Sequence, residues 1–262
     1  MKIGVIGIGA VGYPLYKALQ YYHNEVYCFD KVKKCDSWEK IVDTDIVFIS
    51  VPTNPKPNGR LDMYAVEENL LNLKQSKYKG IVVIKSTLGL GYINDTIKRY
   101  PFKIIVFPEW LYSANAFPDT LKPEMTVVGI DEVIIDMNLR IIDKNLQLLF
   151  DVCKWHKQED AFIVEPEEAV MIKLTANSLA STKISFANQI DLICKEYNIN
   201  SDIVMDTIKC DPRCSPRYLT PGRPFGGHCL VKDTDELKNS IIENHLLNGV
   251  CEINKIFSKS KQ

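Results

Sequence analysis

Three observations predict an α/β chain, with an N-terminal doubly wound parallel sheet followed by a smaller all-helical domain containing one long helix. Short apolar runs alternate with segments of helical period up to about residue 160. A glycine-rich turn stands directly after the first of those runs. Beyond Glu165 apolar residues recur at helical spacing, and neither Gly nor Pro interrupts them between Pro166 and about Tyr197.

The elements follow in order. Lys2 to Ile6 reads as a buried strand, Val11 to Tyr22 as a helix, and Glu25 to Asp30 as a second strand ending in an acid. A short polar stretch leads to a brief helix near Trp38 to Val42 and a strand over Asp45 to Val51. Three prolines and a glycine make Pro52 to Leu61 a loop. Asp62 to Gln75 reads as a helix, and Ile81 to Lys85 and Ile104 to Phe107 as buried strands with a helix between them. Thr126 to Ile130 and Ala161 to Val164 are expected as edge strands flanking a helix around Asp131 to Phe150. Such alternation predicts a parallel sheet covered by helices on both faces.

Pro166 suits the first turn of a helix, where its missing N–H costs nothing. The helix it opens should run roughly 45 Å at about 1.5 Å per residue. Ser201 is placed to cap a further helix ending near Lys209. Cys210 to His228 carries four prolines and reads as a loop, with final helices near Val231 to Ser240 and Glu243 to Phe257. The domain boundary is expected near residue 160, dividing 1–160 from 161–262.

Composition narrows the class. The 262 residues can bury a sizeable core, and 46% hydrophobic with 25% charged residues is ordinary for a globular chain. Lys plus Arg number 32 and Asp plus Glu 33, so the net charge is −1, and neither a nucleic-acid nor a membrane partner is expected. Met1 to Ala10 is too short and glycine-broken for a signal peptide. No apolar run reaches the roughly 18 residues of a membrane span. The eight cysteines form no CxxC pair and read as free thiols of a cytoplasmic protein, with no metal expected.

Gly7-Ile8-Gly9-Ala10-Val11-Gly12 fits G-x-G-x-x-G between an expected strand and an expected helix. Gly7 permits the tight turn, Gly9 lets the backbone approach a pyrophosphate, and Gly12 allows close packing. The helix N-terminus presents unpaired amides and the positive end of its dipole. This is the fingerprint of a Rossmann domain. Asp30, closing the second strand, would accept hydrogen bonds from both ribose hydroxyls and repel a 2′-phosphate, favouring NAD over NADP. Lys31, Lys33 and Lys34 soften that preference. A glycine turn serving another ligand is the competing reading.

A second constellation lies further on. Cys229 follows two glycines just before an expected helix, where dipole and amides favour a thiolate, and Lys232 adds positive charge. It is a candidate nucleophile; a small buried cysteine is the alternative. Lys173 and Asn177, four residues apart, share one face of the long helix and interrupt an apolar stripe of Val170, Leu174 and Leu179. Lys173 could snorkel to solvent, but Asn177 cannot, which argues for a shared polar pocket. Asp233 could instead be a plain first-turn acid, and Thr87 a turn hydroxyl capping the next helix. Glu109 follows a strand end, where open α/β sheets place ligands.

Several segments, in order, resemble the UDP-glucose/GDP-mannose dehydrogenase family: Val51-Pro52-Thr53, Lys85-Ser86-Thr87, Pro108-Glu109-Trp110-Leu111, Lys173-Leu174-Thr175-Ala176-Asn177 and Gly226-Gly227-His228-Cys229-Leu230-Val231-Lys232-Asp233. The resemblance implies a UDP-glucose 6-dehydrogenase-like enzyme of polysaccharide biosynthesis, oxidising the primary alcohol of a nucleotide sugar to the carboxylate with NAD through a Cys229 thioester. It implies that Lys173 and Asn177 hold the reacting alkoxide and its water. Asp233 would order the helix start or assist proton transfer, Glu109 would act as base in hydrolysis, and Thr87 would order water. Val51, Pro52, Thr53, Ser86, Thr87 and Lys232 would join Gly7, Gly9, Ala10, Val11, Gly12 and Asp30 around the cofactor. Trp110, Leu111, Phe225, Gly226 and Gly227 would join Glu109, Lys173 and Asn177 around the substrate.

The chain departs from the family pattern in its short stretch between Asp30 and Trp38, in Ser113 where another glutamate is usual, and in Met125 for a customary arginine. It is expected to be a shortened form lacking the C-terminal nucleotide-binding domain. Two other readings stand beside this one: a two-domain NAD-dependent dehydrogenase of a different alcohol, and a catalytically silent NAD-binding partner protein. The apolar faces of the long helix lead us to expect a homodimer.

Overall fold

The computed structural model describes residues 1–131 and 143–259. Seven strands form one sheet: β1 (Ile3–Ile6), β2 (Val26–Phe29), β3 (Ile46–Ile49), β4 (Ile81–Ile84), β5 (Ile104–Val106), β6 (Thr126–Gly129) and β7 (Ala161–Val164). Their order is β2-β1-β3-β4-β5-β6-β7. The intervening helices are α1 (Gly12–Tyr22), α2 (Trp38–Val42), α3 (Tyr64–Gln75), α4 (Ile93–Arg99), α5 (Ala116–Leu121) and α6 (Lys144–Val152). Then come α7 (Pro166–Glu196), α8 (Ser201–Lys209), α9 (Gly227–Lys238) and α10 (His245–Lys259). No described helix is long and apolar enough to cross a membrane.

β1 and β3 to β6 are buried along their whole length, which is why their sequences are continuous apolar runs rather than alternating ones. Leu15, Ala18 and Leu19 on α1 and Leu146 and Leu149 on α6 are buried at helical spacing. All but Ala18 join one core with Val5, Phe48, Val83, Ile105 and Val128 of the sheet. Each such large side chain is worth about 1.5–3 kcal/mol over an exposed one.

The chain separates into two compact units, Met1–Thr53 with Asp62–Met171, and Asn54–Leu61 with Ile172–Gln262. The division falls beyond the expected boundary near residue 160. Ala161 to Val164 pairs in register with Thr126 to Gly129 and so belongs to the sheet. The loop Asn54–Leu61 joins the helical unit: Glu236, fully buried, accepts from Arg60 Nε at 2.9 Å and from the Leu61 amide at 2.6 Å.

Other expectations are refined. The sheet is not wholly parallel, because β6 pairs antiparallel with β5, through Val106 and Gly129. β6 is therefore an interior strand. In the connection from β5, α5 packs against α1 instead of crossing the face of the sheet, so the chain re-enters from the end it left. That short α5 was not expected from the sequence. The helix expected around Asp131 to Phe150 is seen as α6, capped by Asp143, whose Oδ1 accepts from the amides of Asn145 and Leu146; positions 132–142 lie outside the described residues. Asn200, not Ser201, caps α8, leaving Ser201 Oγ to donate to Asp191 at 2.6 Å. Finally, α9 begins at Gly227, four residues before Val231. Extended Gly226 and left-handed Gly227 (φ +73°) turn the chain into it.

Candidate functional site

In the first unit, the strand order reverses between β1 and β3: the chain leaves β1 for β2 on one side and returns to β3 on the other. Ligands in open α/β sheets bind beyond the carboxyl ends of the strands at such a switch point. A cavity of about 400 Å³ lies there, lined by Ile6 to Gly9, Phe29 to Lys33, Ser50 to Pro52, and Ala65, Glu68 and Asn69 of α3.

The glycines do what their spacing demands. Gly7 has φ +87°, and a Cβ there would stand 2.8 Å from the Ser50 carbonyl oxygen. A Cβ on Gly12 would stand 1.8 Å from the Gly7 oxygen, so no side chain fits where α1 begins. Gly9 lines the cavity and its missing Cβ would meet nothing within 4 Å, leaving open backbone for a ligand.

Asp30 is held by the loops around it. Its Oδ2 accepts from the Ile8 amide at 2.8 Å, and its Oδ1 from the amides of Val32 and Lys33 at 2.9 and 3.0 Å. Burial alone would push this carboxyl up. The three amides and the Lys33 charge outweigh burial and hold it below its ordinary range. The Lys33 ammonium reaches back to donate to the Ile8 carbonyl, and Lys31 pairs with Glu68 at 2.5 Å.

Gly7, Gly9, Asp30, Val51 and Pro52 thus line this cavity, whereas Ala10, Val11, Gly12, Thr53, Ser86 and Thr87 do not. Thr53 and Ser86 tie strand ends together: Thr53 Oγ1 donates to the Thr87 carbonyl at 2.8 Å, and Ser86 Oγ to the Val51 carbonyl at 2.7 Å. Thr87 does not cap α4, whose capping position is Tyr92. Sequence reasoning missed Ala65, Glu68 and Asn69. The available signal was Asn69, buried in the apolar row of Val66, Leu70 and Leu73 on α3.

A smaller pocket of the same unit is lined by Val11, Lys85, Phe107, Glu109, Trp110, Leu111 and His156, among others. Glu109 is buried and accepts from the Leu111 amide at 2.8 Å. Lys85 Nζ stands 3.9 Å from the centroid of the Phe107 ring. His156 Nδ1 lies 2.8 Å from Thr126 Oγ1, and burial, then the charge of Lys85, pushes this imidazole down to about 3. Neither Lys85 nor His156 was singled out as a site residue from the sequence.

In the second unit, Lys173 on α7 is 5% exposed, so it does not snorkel to solvent. Leu174 is buried, but Leu179 is 58% exposed and lies off the apolar stripe expected to hold it. Asp233 is fully buried at the seventh position of α9, which removes the first-turn reading. Its two oxygens are both used: Asn177 Nδ2 donates to Oδ2 at 2.6 Å, and Lys232 Nζ to Oδ1 at 2.6 Å. Lys232 is itself buried. Cys229 is exposed, in the first turn of α9 rather than before it. Phe225 is buried, its carbonyl accepting from Asn254 Nδ2 at 3.0 Å, while Gly226 and Gly227 are exposed. None of the eight cysteines is in a disulfide.

A seven-stranded, mostly parallel sheet with a glycine turn at its switch point defines a Rossmann-type, dehydrogenase-like fold. Residues 32–147 match the NAD binding domain of the UDP-glucose/GDP-mannose dehydrogenase family, and residues 167–255 its central domain. The chain belongs to that family. It is 29% identical to a UDP-glucose 6-dehydrogenase of Campylobacter jejuni over 84% of its own length and 55% of the relative's. With the Streptococcus pneumoniae UDP-glucose 6-dehydrogenase it shares 28% identity over 97% of its length and 73% of the relative's. A solved UDP-glucose dehydrogenase from Pyrobaculum islandicum superposes with TM-score 0.84 at 23% identity, covering 97% of this chain and 68% of that one. The chain thus spans little more than half the length of the Campylobacter relative.

Proposed function

We propose that this chain carries the redox centre of a nucleotide-sugar dehydrogenase, converting a primary alcohol to a carboxylate. The observation that carries the reading is Asp233: a fully buried carboxylate clamped by Lys232 and Asn177, four residues along the helix from Cys229. A buried charge must be paired, and a merely structural helix would use apolar residues here at less cost.

The cavity at the switch point fits NAD. The open face of Gly9 and the left-handed Gly7 suit a pyrophosphate, and Asp30 suits the ribose hydroxyls. When bound, NAD supplies the hydride acceptor for both oxidations. Gly7, Gly9, Asp30, Val51 and Pro52 would hold it, with Asn69 along α3.

The remaining chemistry belongs to the side chains. Once the primary alcohol has been oxidised to the aldehyde, Cys229 sulfur attacks the aldehyde carbon, and the thiol proton passes to solvent as the carbonyl oxygen becomes the alkoxide of a thiohemiacetal. Oxidation of that adduct leaves a thioester on Cys229, and water cleaves it to the carboxylate and the free thiol. Lys173 and Asn177 stabilise the oxyanions, a contribution that often dominates catalysis. Asp233 holds the Asn177 amide in place, since its Oδ2 accepts from Nδ2 at 2.6 Å. Glu109 acts as base in the hydrolysis with Thr87 ordering water, and Trp110, Leu111, Phe225, Gly226 and Gly227 contact substrate. These roles rest on the family resemblance.

Homodimerisation belongs to the same proposal. Leu179, Phe186 and Ile193 are 58, 54 and 46% exposed at seven-residue spacing on α7, a stripe suited to a second copy of that helix. A sedimentation mass of one chain at micromolar concentration would refute it. Eight cysteines outside any disulfide fit a reducing, cytoplasmic setting.

The activity is tested by following NADH formation with NAD and a panel of UDP- and GDP-sugars. NADH with one of them supports the reading. NADH only with other alcohols points to a different substrate class, and NAD binding without turnover on any alcohol points to a silent partner.

A further inference from the structure

The cluster of lysines after Asp30 raises a question that charge alone answers wrongly. Three cations within four residues, Lys31, Lys33 and Lys34, follow Asp30, and Lys31 and Lys33 line the cavity where the ribose of a dinucleotide is expected; such a cluster would welcome a 2′-phosphate. Two of them are already committed. Lys33 donates to the Ile8 carbonyl across the glycine turn. Lys31 is held at 2.5 Å by Glu68, which projects from α3 into the lining of the same cavity.

We infer that Glu68 is a specificity-determining residue, which keeps the cavity selective for NAD over its 2′-phosphorylated form by neutralising Lys31. The inference rests on the dinucleotide reading of this cavity. It divides the discrimination between two carboxylates. Asp30 acts on the ligand directly: each carboxylate oxygen has two acceptor positions, and among the described residues Oδ2 carries only the Ile8 amide. Glu68 acts through Lys31, cancelling an ammonium that lines the cavity and adding its own negative charge at the cavity wall. Lys31 is 59% exposed and Glu68 26%, so the pair is soft, and removing one partner changes the local field more than the fold.

The test is equilibrium binding of NAD and NADP by titration calorimetry to the full chain, to Glu68→Gln and to the double variant Lys31→Met, Glu68→Gln. Glu68→Gln should bind NADP about fivefold tighter, with NAD affinity unchanged within about twofold, a gain expected to shrink as salt is raised. The double variant should return the NADP-to-NAD ratio to within about twofold of the unsubstituted chain. A purely structural role for Glu68 would weaken both ligands together and leave the ratio alone. An unchanged ratio in Glu68→Gln, or a raised ratio that survives in the double variant, overturns the inference while NAD binding stands. Failure of the unsubstituted chain to bind either dinucleotide overturns the site reading and the inference with it.

Discussion

The two halves of the chain build their sites from different materials. In the sheet unit the proposed ligand surface is mostly main chain: the open Gly9 backbone, the Gly7 turn and the strand ends, with Asp30 held by three amides. In the helical unit the proposed site is side chain: Lys173, Asn177, Lys232 and Asp233 stand on two helices, and Asp233 ties Asn177 and Lys232 together. A backbone site depends on where side chains are missing. A side-chain site depends on which charges are buried together. Substitutions should therefore fail in different ways in the two halves.

The largest effect is expected at Cys229. Cys229→Ser should reduce acid formation at least about a thousandfold, as loss of a covalent nucleophile does, with little change in melting temperature because the residue is exposed. Product analysis by mass spectrometry checks it, and acid accumulating at the unsubstituted rate rules out the thioester route.

Next comes the buried charge. Asp233→Leu leaves Lys232 buried without its carboxylate and should cost about 3–5 kcal/mol in denaturant unfolding. Adding Lys232→Met should restore most of that stability but not activity. If the double variant is as unstable as the single, the pair is not what governs the helix.

Gly12→Ala probes the backbone half. Its Cβ would collide with the Gly7 oxygen, so a loss of about 3 kcal/mol and of NAD binding are expected together. Normal NAD affinity in a folded Gly12→Ala chain would contradict the packing described at the turn.

The smallest effect is a pH slope. His156 is pushed down to about 3 by burial and then by Lys85, from an ordinary value of 6.5. The folded state therefore refuses a proton that the unfolded state accepts. The resulting stability is fully present above about pH 6.5 and is lost towards pH 3, at up to about 1.4 kcal/mol per pH unit. His156→Gln should flatten that slope relative to the unsubstituted chain in unfolding curves at pH 7, 6 and 5; parallel curves would refute it.

The same contrast explains what the sequence made legible. Backbone requirements leave a strong mark, because only glycine can stand at Gly7 and Gly12, so the glycine turn was readable, and continuous apolar runs made the positions of all seven strands readable. Side-chain sites leave a weaker one. Lys173 and Asn177 were visible as breaks in an apolar pattern, but the pairing of Asp233 with both Asn177 and Lys232 was not, because it joins α7 to α9 across a sequence gap no periodicity spans. Glycine misled in the other direction: Gly226 and Gly227 read as loop, yet at a helix entry glycine costs little, and α9 starts there. The reversal of β6 also left no local signal, since strand direction depends on where α5 packs rather than on the composition of Thr126 to Gly129.

The central claim is a four-electron oxidation through Cys229, and its most direct measurement is the yield of NADH per molecule of a limiting nucleotide sugar with NAD in excess. The account predicts two NADH and a carboxylate for every sugar consumed. A yield of one NADH, with an aldehyde released, would contradict it.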